Sequence, residues 1–515
     1  TPINGTITDT GVVTYNVPFG VYTVTETAPG VGWVTTYTVE SVASGDSGVV
    51  TMSNPSPYAT VAPAAISGTV FRDFNSNGLF DTGASFNEIG LAGVTITAYD
   101  SADNACGSTV SGADGTYSLT PTCDGPWRLA FTDLPDGYEP GYGGGDNASS
   151  VQFVTTSGAT GVDFAVNKPC DYCQENPTAV VPIYVNGDAS NTQVAMSRVN
   201  WDTSGTPVTI ARQNELGATW GVAYQRQSDK LFAAAVVKRH SGLGSQGLGG
   251  IYVIDAPAGA APTVAPFIDL DAAPFNIDFG TLPSNGAVGR NLPTSVTTAN
   301  RDNQAFAAVG RQGIGDIDLS EDGNTLWVMN LYTATGNLAT LIRINVTNGE
   351  MPTAVADVSL YPLANMTGVP SCTGGFFRPW ALKLANGKGY LGGLCSAEIS
   401  NSQNDMMGYV LSFDPDNPVT LTTELTIPLN YIKGEANNGA YPNDNRWYPW
   451  LNLYNTARYD VIAPFGSPPR WYHARPTPIL TDIEFDVTGA MNIGFVDRSG
   501  LQLGYGNYAP APDAS

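Results

Sequence analysis

The chain has 515 residues, with 22 Lys and Arg against 46 Asp and Glu and a formal net charge of -24. That charge would repel a phosphate backbone, which argues against a nucleic-acid partner, and no apolar run reaches the roughly 18 to 20 residues that a membrane-crossing helix needs. The 58 Gly and 36 Pro, with many Thr, Val and Tyr and little 3.6-residue periodicity, predict an all-β chain of about three or four folding units.

Acidity peaks at the front. Residues 1–167 hold no Lys and only Arg72 and Arg128, against sixteen Asp and Glu, so this stretch carries 14 of the 24 excess negative charges. Within it, residues 1–57 alternate in period two, as in Tyr22-Thr-Val-Thr-Glu26 and Trp33-Val-Thr-Thr-Tyr37, the pattern of a half-buried antiparallel sheet. The opening residues already read as strand, and a secretion signal and preceding domains are expected to lie outside the sequence.

The run Gly20-Val-Tyr-Thr-Val-Thr-Glu26-Thr-Ala-Pro29, followed by Trp33 and Asn54, resembles the Cna B-type, prealbumin-like modules of bacterial surface proteins. The resemblance implies a cross-link from a first-strand Lys to an Asn, assisted by a buried acid, with Glu26 and Asn54 in the matching places. The Lys is missing, so a partial sandwich without a cross-link is expected. Its open edge is a template for a strand from another subunit.

Residues 64–167 carry four motifs in order: Ile66-Ser-Gly-Thr-Val-Phe71-Arg-Asp73-Phe-Asn75-Ser-Asn77-Gly78-Leu-Phe-Asp81, Gly90-Leu-Ala-Gly-Val-Thr-Ile-Thr-Ala-Tyr99, Asp114-Gly-Thr-Tyr117 and Val162-Asp-Phe-Ala-Val166. The first places oxygen-bearing side chains at alternate positions with Gly78 after the third, which lets the chain wrap a hard cation. Asp73, Asn75, Asn77 and Asp81 are the candidate side-chain ligands, and Leu79 offers its carbonyl. Position 12 of an EF-hand count falls on Ala84, and Glu88 is the nearest further acid. Oxygen donors without a soft ligand favour calcium; an Asx-rich turn without an ion is the alternative. Asp114-Gly115 reads as a hairpin turn rather than a ligand. The whole stretch resembles the SdrD B-like domain, a calcium-stiffened relative of the Cna B fold, and Glu88 follows a short insertion relative to that pattern.

The six cysteines fall in near pairs, Cys106/Cys123, Cys170/Cys173 and Cys372/Cys395, which suits local disulfides in an oxidising compartment. Cys170 and Cys173 would form half a zinc site, but no second such pair follows, and the chain has 2 His. They sit in residues 168–180, an aperiodic, proline-bearing stretch read as a linker.

From 181 to 515 a strand pattern recurs. Its units start near 221, 316, 380 and 482, each with two or three consecutive strand segments such as Gly221-Val-Ala-Tyr, Lys230-Leu-Phe-Ala and Gly250-Ile-Tyr-Val. Consecutive strands per unit make a propeller blade, and the wide spacing requires long insertions. Lys238-Arg-His240-Ser-Gly-Leu-Gly, Arg378-Pro-Trp-Ala-Leu and Asp497-Arg-Ser-Gly-Leu-Gln502 resemble a propeller found beside SdrD B-like domains in large secreted bacterial proteins. The fold expectation is therefore two small immunoglobulin-like or prealbumin-like sandwiches followed by a β-propeller.

Asp316, Asp318, Asp482, Glu484 and Asp486 begin units and would line a channel in an enzyme, or brace strand ends in a scaffold. The segment through Trp447, Trp450 and Trp471 is rich in aromatics and Arg, residue types that dominate contact surfaces. These features predict a non-enzymatic extracellular surface protein whose calcium-stiffened modules present a propeller, with self-association, other surface proteins or glycans as partners. A propeller hydrolase or lyase acting on extracellular polysaccharide is the rival.

Overall fold

The computed structural model describes residues 63–73, 76–81, 88–141, 150–169, 177–202, 205–288, 290–321, 323–332, 339–434, 445–454, 475–486, 489–504 and 506–510, with the strand backbones at 12–17, 36–39, 48–53, 462–465 and 470–472. The chain divides into two units. The first is Thr1–Cys173 with Val487–Ala490, and the second is Gln174–Asp486 with Met491–Ser515.

In the first unit, β1 (Val12–Val17), β2 (Thr36–Val39) and β3 (Gly48–Ser53) form an antiparallel sheet in the order β1-β3-β2. Glu26 and Asn54 lie outside the described residues. The next nine strands are β4 (Ile66–Arg72), β5 (Ile89–Gly90), β6 (Thr95–Tyr99), β7 (Ala105–Val110), β8 (Thr116–Leu119), β9 (Trp127–Thr132), β10 (Glu139–Pro140), β11 (Val151–Val154) and β12 (Phe164–Asn167). One sheet runs β10-β12-β4-β5 with β8 also on β4, and the other runs β11-β9-β6-β7.

Side chains alternate along these strands, as the buried Ile96 and Ala98 of β6 and Tyr117 and Leu119 of β8 show. The inner faces of both sheets meet in one core of Val70, Ile96, Trp127, Leu129, Phe131, Phe164 and Val166, the construction of a β-sandwich. Phe131 stacks on Phe164 with centroids 4.2 Å apart, and the Tyr117 hydroxyl donates to the Val162 carbonyl at 2.6 Å. The Cys106–Cys123 disulfide closes a 17-residue separation within this module.

The second unit opens with β13 (Thr178–Pro182), β14 (Val194–Asn200) and β15 (Val208–Arg212), a three-stranded sheet. Thr178 to Val180 thus belong to a strand, not to the linker the sequence suggested. Three four-stranded antiparallel meanders follow: β16 (Thr219–Gln225), β17 (Lys230–Ala235), β18 (Gly250–Asp255) and β19 (Thr263–Asp269); β20 (Ile314–Leu319), β21 (Thr325–Asn330), β22 (Thr340–Asn345) and β23 (Val358–Pro362); β24 (Phe377–Ala385), β25 (Lys388–Cys395), β26 (Met407–Phe413) and β27 (Thr422–Pro428). Two hairpins complete the list, β28 (Ile462–Phe465) with β29 (Arg470–Tyr472), and β30 (Pro478–Phe485) with β31 (Met491–Asp497).

First strands adjoin in succession, β16 by β20, β20 by β24 and β24 by β30. The sheets share one large apolar core, with Phe232, Ile251, Trp327, Ile342, Trp380, Leu391 and Ile479 among its members. Strand pairing among the described residues closes no ring. The chain end instead returns to the connection after β17. Arg239 donates to the carbonyls of Gln502 and Tyr508, both at 2.8 Å, and to that of Arg301.

Candidate metal centre and interior polar sites

The candidate cation loop is held at both ends by one strand pair. Arg72 faces Ile89 and Phe71 faces Gly90 across β4 and β5, so Asp73 and Glu88 enter and leave the loop at the same edge. Both are buried, at 0% and 3% exposure. Burying a carboxylate is costly unless hydrogen bonds replace its water, and the loop's backbone supplies them. Asp73 Oδ1 accepts from Asn77 N–H at 3.2 Å and Oδ2 from Gly78 N–H at 2.8 Å. Glu88 Oε2 accepts from Asp81 N–H at 2.8 Å, and Glu88 N–H returns a bond to the Asp81 carbonyl at 2.9 Å.

Between these anchors, Asn77 Oδ1 accepts from Leu79 N–H at 2.7 Å, and its amide donates to Asp81 Oδ2 at 2.8 Å. The wrap needs left-handed backbone at Gly78, φ 74°, which glycine adopts without a steric penalty. The structure therefore gathers Asp73, Asn77, Asp81 and Glu88. The Leu79 side chain is 59% exposed, and Asn75 lies outside the described residues. The donor set is all oxygen, as a hard divalent cation requires. The three carboxylates do not converge on a single point: among the described residues, only Asp100, Cys106 and Cys123 bring three such ligand atoms within 4.8 Å of one another. That trio is no metal site, because its two sulfurs are bonded to each other at 2.00 Å. Asp114 accepts from Thr116 N–H and hydroxyl in a tight turn.

The unit-opening acids hold sheets together. Asp316 Oδ2 accepts from Leu382 N–H at 3.2 Å, Asp318 Oδ2 from Leu384 N–H at 2.6 Å and Glu321 Oε2 from Gly387 N–H at 3.0 Å. A row of carboxylates on and after β20 thus plays the part of a strand edge for β24 and its turn. Lys383 then joins β24 to β30 through Glu484 at 2.8 Å, with Asp318 at 3.9 Å. Burial pushes the Asp316 carboxyl well above its ordinary value and that of Asp318 up to about 6, with Lys383 opposing the rise at Asp318. Burial and the neighbouring Glu484 also raise Asp482.

A second interior network was not anticipated. Arg290 grips Asp302 through Nε at 2.9 Å and a terminal nitrogen at 2.8 Å, both residues being buried, while Asp302 Oδ2 also accepts from His240 N–H at 2.8 Å. Burial and the adjacent Arg239 drop the His240 pKa to about 3, so the ring is neutral and its Nδ1 donates to Asn300 Oδ1 at 2.7 Å.

Trp447 and Trp450, proposed as contact surface, are 8% and 1% exposed and belong to the core. The Trp450 indole donates to the Pro478 carbonyl at 2.7 Å, and its ring lies 4.2 Å from the Arg498 guanidinium. The aromatic rings of this segment pair with cations from elsewhere in the unit, Trp447 with Lys433 and Trp450 with Arg378 and Arg498. The Trp471 side chain, Cys170 and Cys173 fall outside what the structure describes. The other two cysteine pairs, Cys106–Cys123 and Cys372–Cys395, are bonded as expected.

One part of the chain matches a known family. Residues 64–171 match the SdrD B-like domain. Serine-aspartate repeat-containing protein D of Staphylococcus aureus (strain Newman) is 34% identical over 91 residues, which is 17% of this chain and 6% of that protein. Colossin-B of Dictyostelium discoideum is 24% identical over 463 residues, covering 86% of this chain and 11% of Colossin-B. Colossin-A from the same organism is 25% identical over 482 residues, covering 87% of this chain and 4% of Colossin-A. The chain spans about a tenth or less of these three relatives, yet the two colossin matches run well beyond the SdrD B-like module into the second unit.

Proposed function

We propose that this chain is a segment of an extracellular or cell-surface structural protein in which a calcium-binding SdrD B-like module stiffens the chain and the second unit is a displayed β-propeller. The observation that carries the reading is the loop from Asp73 to Glu88: two buried carboxylates at its two ends, each accepting from the loop backbone, with Asn77 and Asp81 between them in sequence. Asp73, Asn77, Asp81 and Glu88 would hold the ion, with Asn75 and the Leu79 carbonyl as further donors. A bound calcium would neutralise clustered acids and fix the loop in the strongly acidic front of the chain.

Two local disulfides support an oxidising compartment. Three four-stranded meanders with adjoining first strands support the propeller, as does the Arg239 clasp that ties residues 502 and 508 to the connection after β17. Of the acids that an enzyme would require at the strand starts, Asp316 and Asp318 are engaged by backbone N–H groups and Glu484 by Lys383, which favours a scaffold over a hydrolase or lyase. Among the described residues the first module is a three-stranded sheet with β1 and β2 at its edges, and such edges support self-association into a fibre, with other surface proteins or glycans as the remaining partners.

Negative-stain electron microscopy of native surface material, labelled with an antibody to the second unit, tests this reading. Regularly decorated fibres that loosen when calcium is chelated are expected. Isolated particles indifferent to chelation would contradict both the assembly and the stiffening.

A further inference from the structure

Four Asn-x-Thr or Asn-x-Ser triplets stand in the sequence, at Asn4, Asn147, Asn345 and Asn365, the residue pattern that N-linked glycan transfer requires. Such triplets also arise by chance, so the useful question is whether the fold presents one of them as a substrate. Asn4 and Asn147 lie outside the described residues. Asn345 and Asn365 both belong to the second unit, at the ends of the connection and strand that follow β22, and their surroundings differ.

Asn345 is the last residue of β22 and pairs with Thr325. Val346 next to it is fully buried, its N–H donating to the Asn324 carbonyl at 2.8 Å and its carbonyl accepting from Gln225 Nε2 at 2.8 Å. With that anchor between them, Asn345 and Thr347 are both exposed. The Thr347 N–H and hydroxyl both donate to Asn345 Oδ1, at 3.1 and 2.7 Å, an Asx turn reinforced by the side chain. The amide oxygen is thus doubly engaged, while the amide nitrogen Nδ2 has no partner among the described residues. Two donors on Oδ1 stabilise the negative charge that gathers there when an amide nitrogen loses a proton and attacks. At Asn365 the hydroxyl is committed elsewhere. Thr367 Oγ1 donates to Thr420 Oγ1 at 3.0 Å, and Thr367 N–H donates to the Val419 carbonyl at 3.0 Å.

We propose that Asn345 is an N-glycosylation site whose donor is an oligosaccharide carried on a lipid pyrophosphate. Asn345 Nδ2 bonds to the anomeric carbon, the bond from that carbon to the pyrophosphate oxygen breaks, the lipid pyrophosphate leaves with the electron pair, and one Nδ2 proton passes to solvent. The proposal rests on the extracellular reading, because a chain must enter the secretory route to meet such a donor, and the two disulfides independently favour that route. The position gives the glycan a task. The connection from β22 to β23 carries Met351 and Val355, 52% and 57% exposed, and β23 is the edge of its sheet among the described strands. A hydrophilic chain rooted at Asn345, where this connection begins, would cover those apolar side chains and keep the edge from pairing with another copy.

The test is peptide mass spectrometry of the native full chain, taken from surface material and from the cell interior, digested with and without peptide N-glycosidase in heavy-oxygen water. Thr347→Ala and Thr347→Ser, expressed in the source cells, are run beside it. Most surface copies are expected to carry a glycopeptide spanning Asn345, which becomes heavy-oxygen Asp when the glycan is released. The glycan should be lost in Thr347→Ala and kept in Thr347→Ser, which retains the hydroxyl. Because Thr347 is exposed, both variants should melt as the wild type does, so the loss reports on the site and not on folding. An unmodified Asn345 peptide in surface material, a glycan on Asn365 but not on Asn345, or a glycan that survives Thr347→Ala would overturn the inference and leave the surface reading intact. A chain found only in the cell interior would overturn the surface reading and the inference with it.

Discussion

Buried carboxylates appear in both units, and they are used in opposite ways. Asp73 and Glu88 accept backbone N–H groups four to seven residues away, inside their own loop. Asp316 and Asp318 accept N–H groups 66 residues away, on the neighbouring sheet. The bond is the same, but the first kind shapes a loop whose oxygens can be recruited by an ion, and the second commits the oxygens to joining sheets. Desolvation separates them further. The seam acids are pushed toward the neutral form by burial, whereas the loop sits in the most acidic stretch of the chain, where an ion would offset the accumulated charge.

The sharpest way to probe the contrast is to delete a carboxylate that is paired rather than merely hydrogen-bonded. Asp302→Ala leaves the buried Arg290 guanidinium without its partner and should destabilise the second unit by about 3–5 kcal/mol, read as a lower midpoint in urea unfolding. A change under about 1 kcal/mol would mean that the network contributes little.

Asp316→Ala should come next, at roughly 2–3 kcal/mol, because it strands the N–H groups of Leu382 and Ile317 in the seam. Asp316→Asn keeps an acceptor for one of these N–H groups but sets its own NH2 against the other, so it should cost about 1–2 kcal/mol, between wild type and Ala. If Ala and Asn were equally harmful, charge rather than acceptance would be what the seam uses.

The smallest expected effect concerns pH. Asp318 and Asp497 have folded pKa values raised to about 6, chiefly by burial, above an ordinary 3.8. A raised carboxylate pKa means the folded state binds the proton more tightly, so stability is fullest below about pH 4 and is lost as pH rises toward and past 6. Between pH 7 and pH 5 the second unit should gain about 1 kcal/mol per group, measured by urea unfolding at the two values. The loop should change in the other direction, because calcium needs ionised carboxylates and its affinity falls with acid.

The sandwich and its loop were legible in the sequence because their signals are local. Alternation marks β6 and β8, and the candidate ligand residues Asp73 to Asp81 follow one another within a short stretch of chain. The second unit was legible only in part. The inner strands read clearly from their apolar runs, but β19, β23 and β27 did not. Outer strands such as Thr422–Pro428 are polar and largely exposed, so they lack the buried face that makes a strand visible. The three-stranded sheet of β13 to β15 was likewise absorbed into its surroundings.

Partnerships across long separations were invisible for a related reason. Nothing near Arg239 announces that its guanidinium will meet the carbonyl of Tyr508, and composition cannot tell a Trp450 that packs on Arg498 from one that faces a ligand. The acids at the unit starts were a fairer case. Their position at successive strand starts raised bracing as one of two readings, and the geometry of Asp316 and Asp318 is bracing.

The central claim is that the Asp73 to Glu88 loop is a calcium site. Titrating calcium into the chelator-treated full chain by calorimetry, beside Asp73→Ala and Glu88→Gln, tests it most directly. The account predicts a saturable site in the wild type that is lost in Asp73→Ala and weakened by about ten-fold or more in Glu88→Gln. No saturable binding at millimolar calcium, or binding unchanged in both variants, would contradict it.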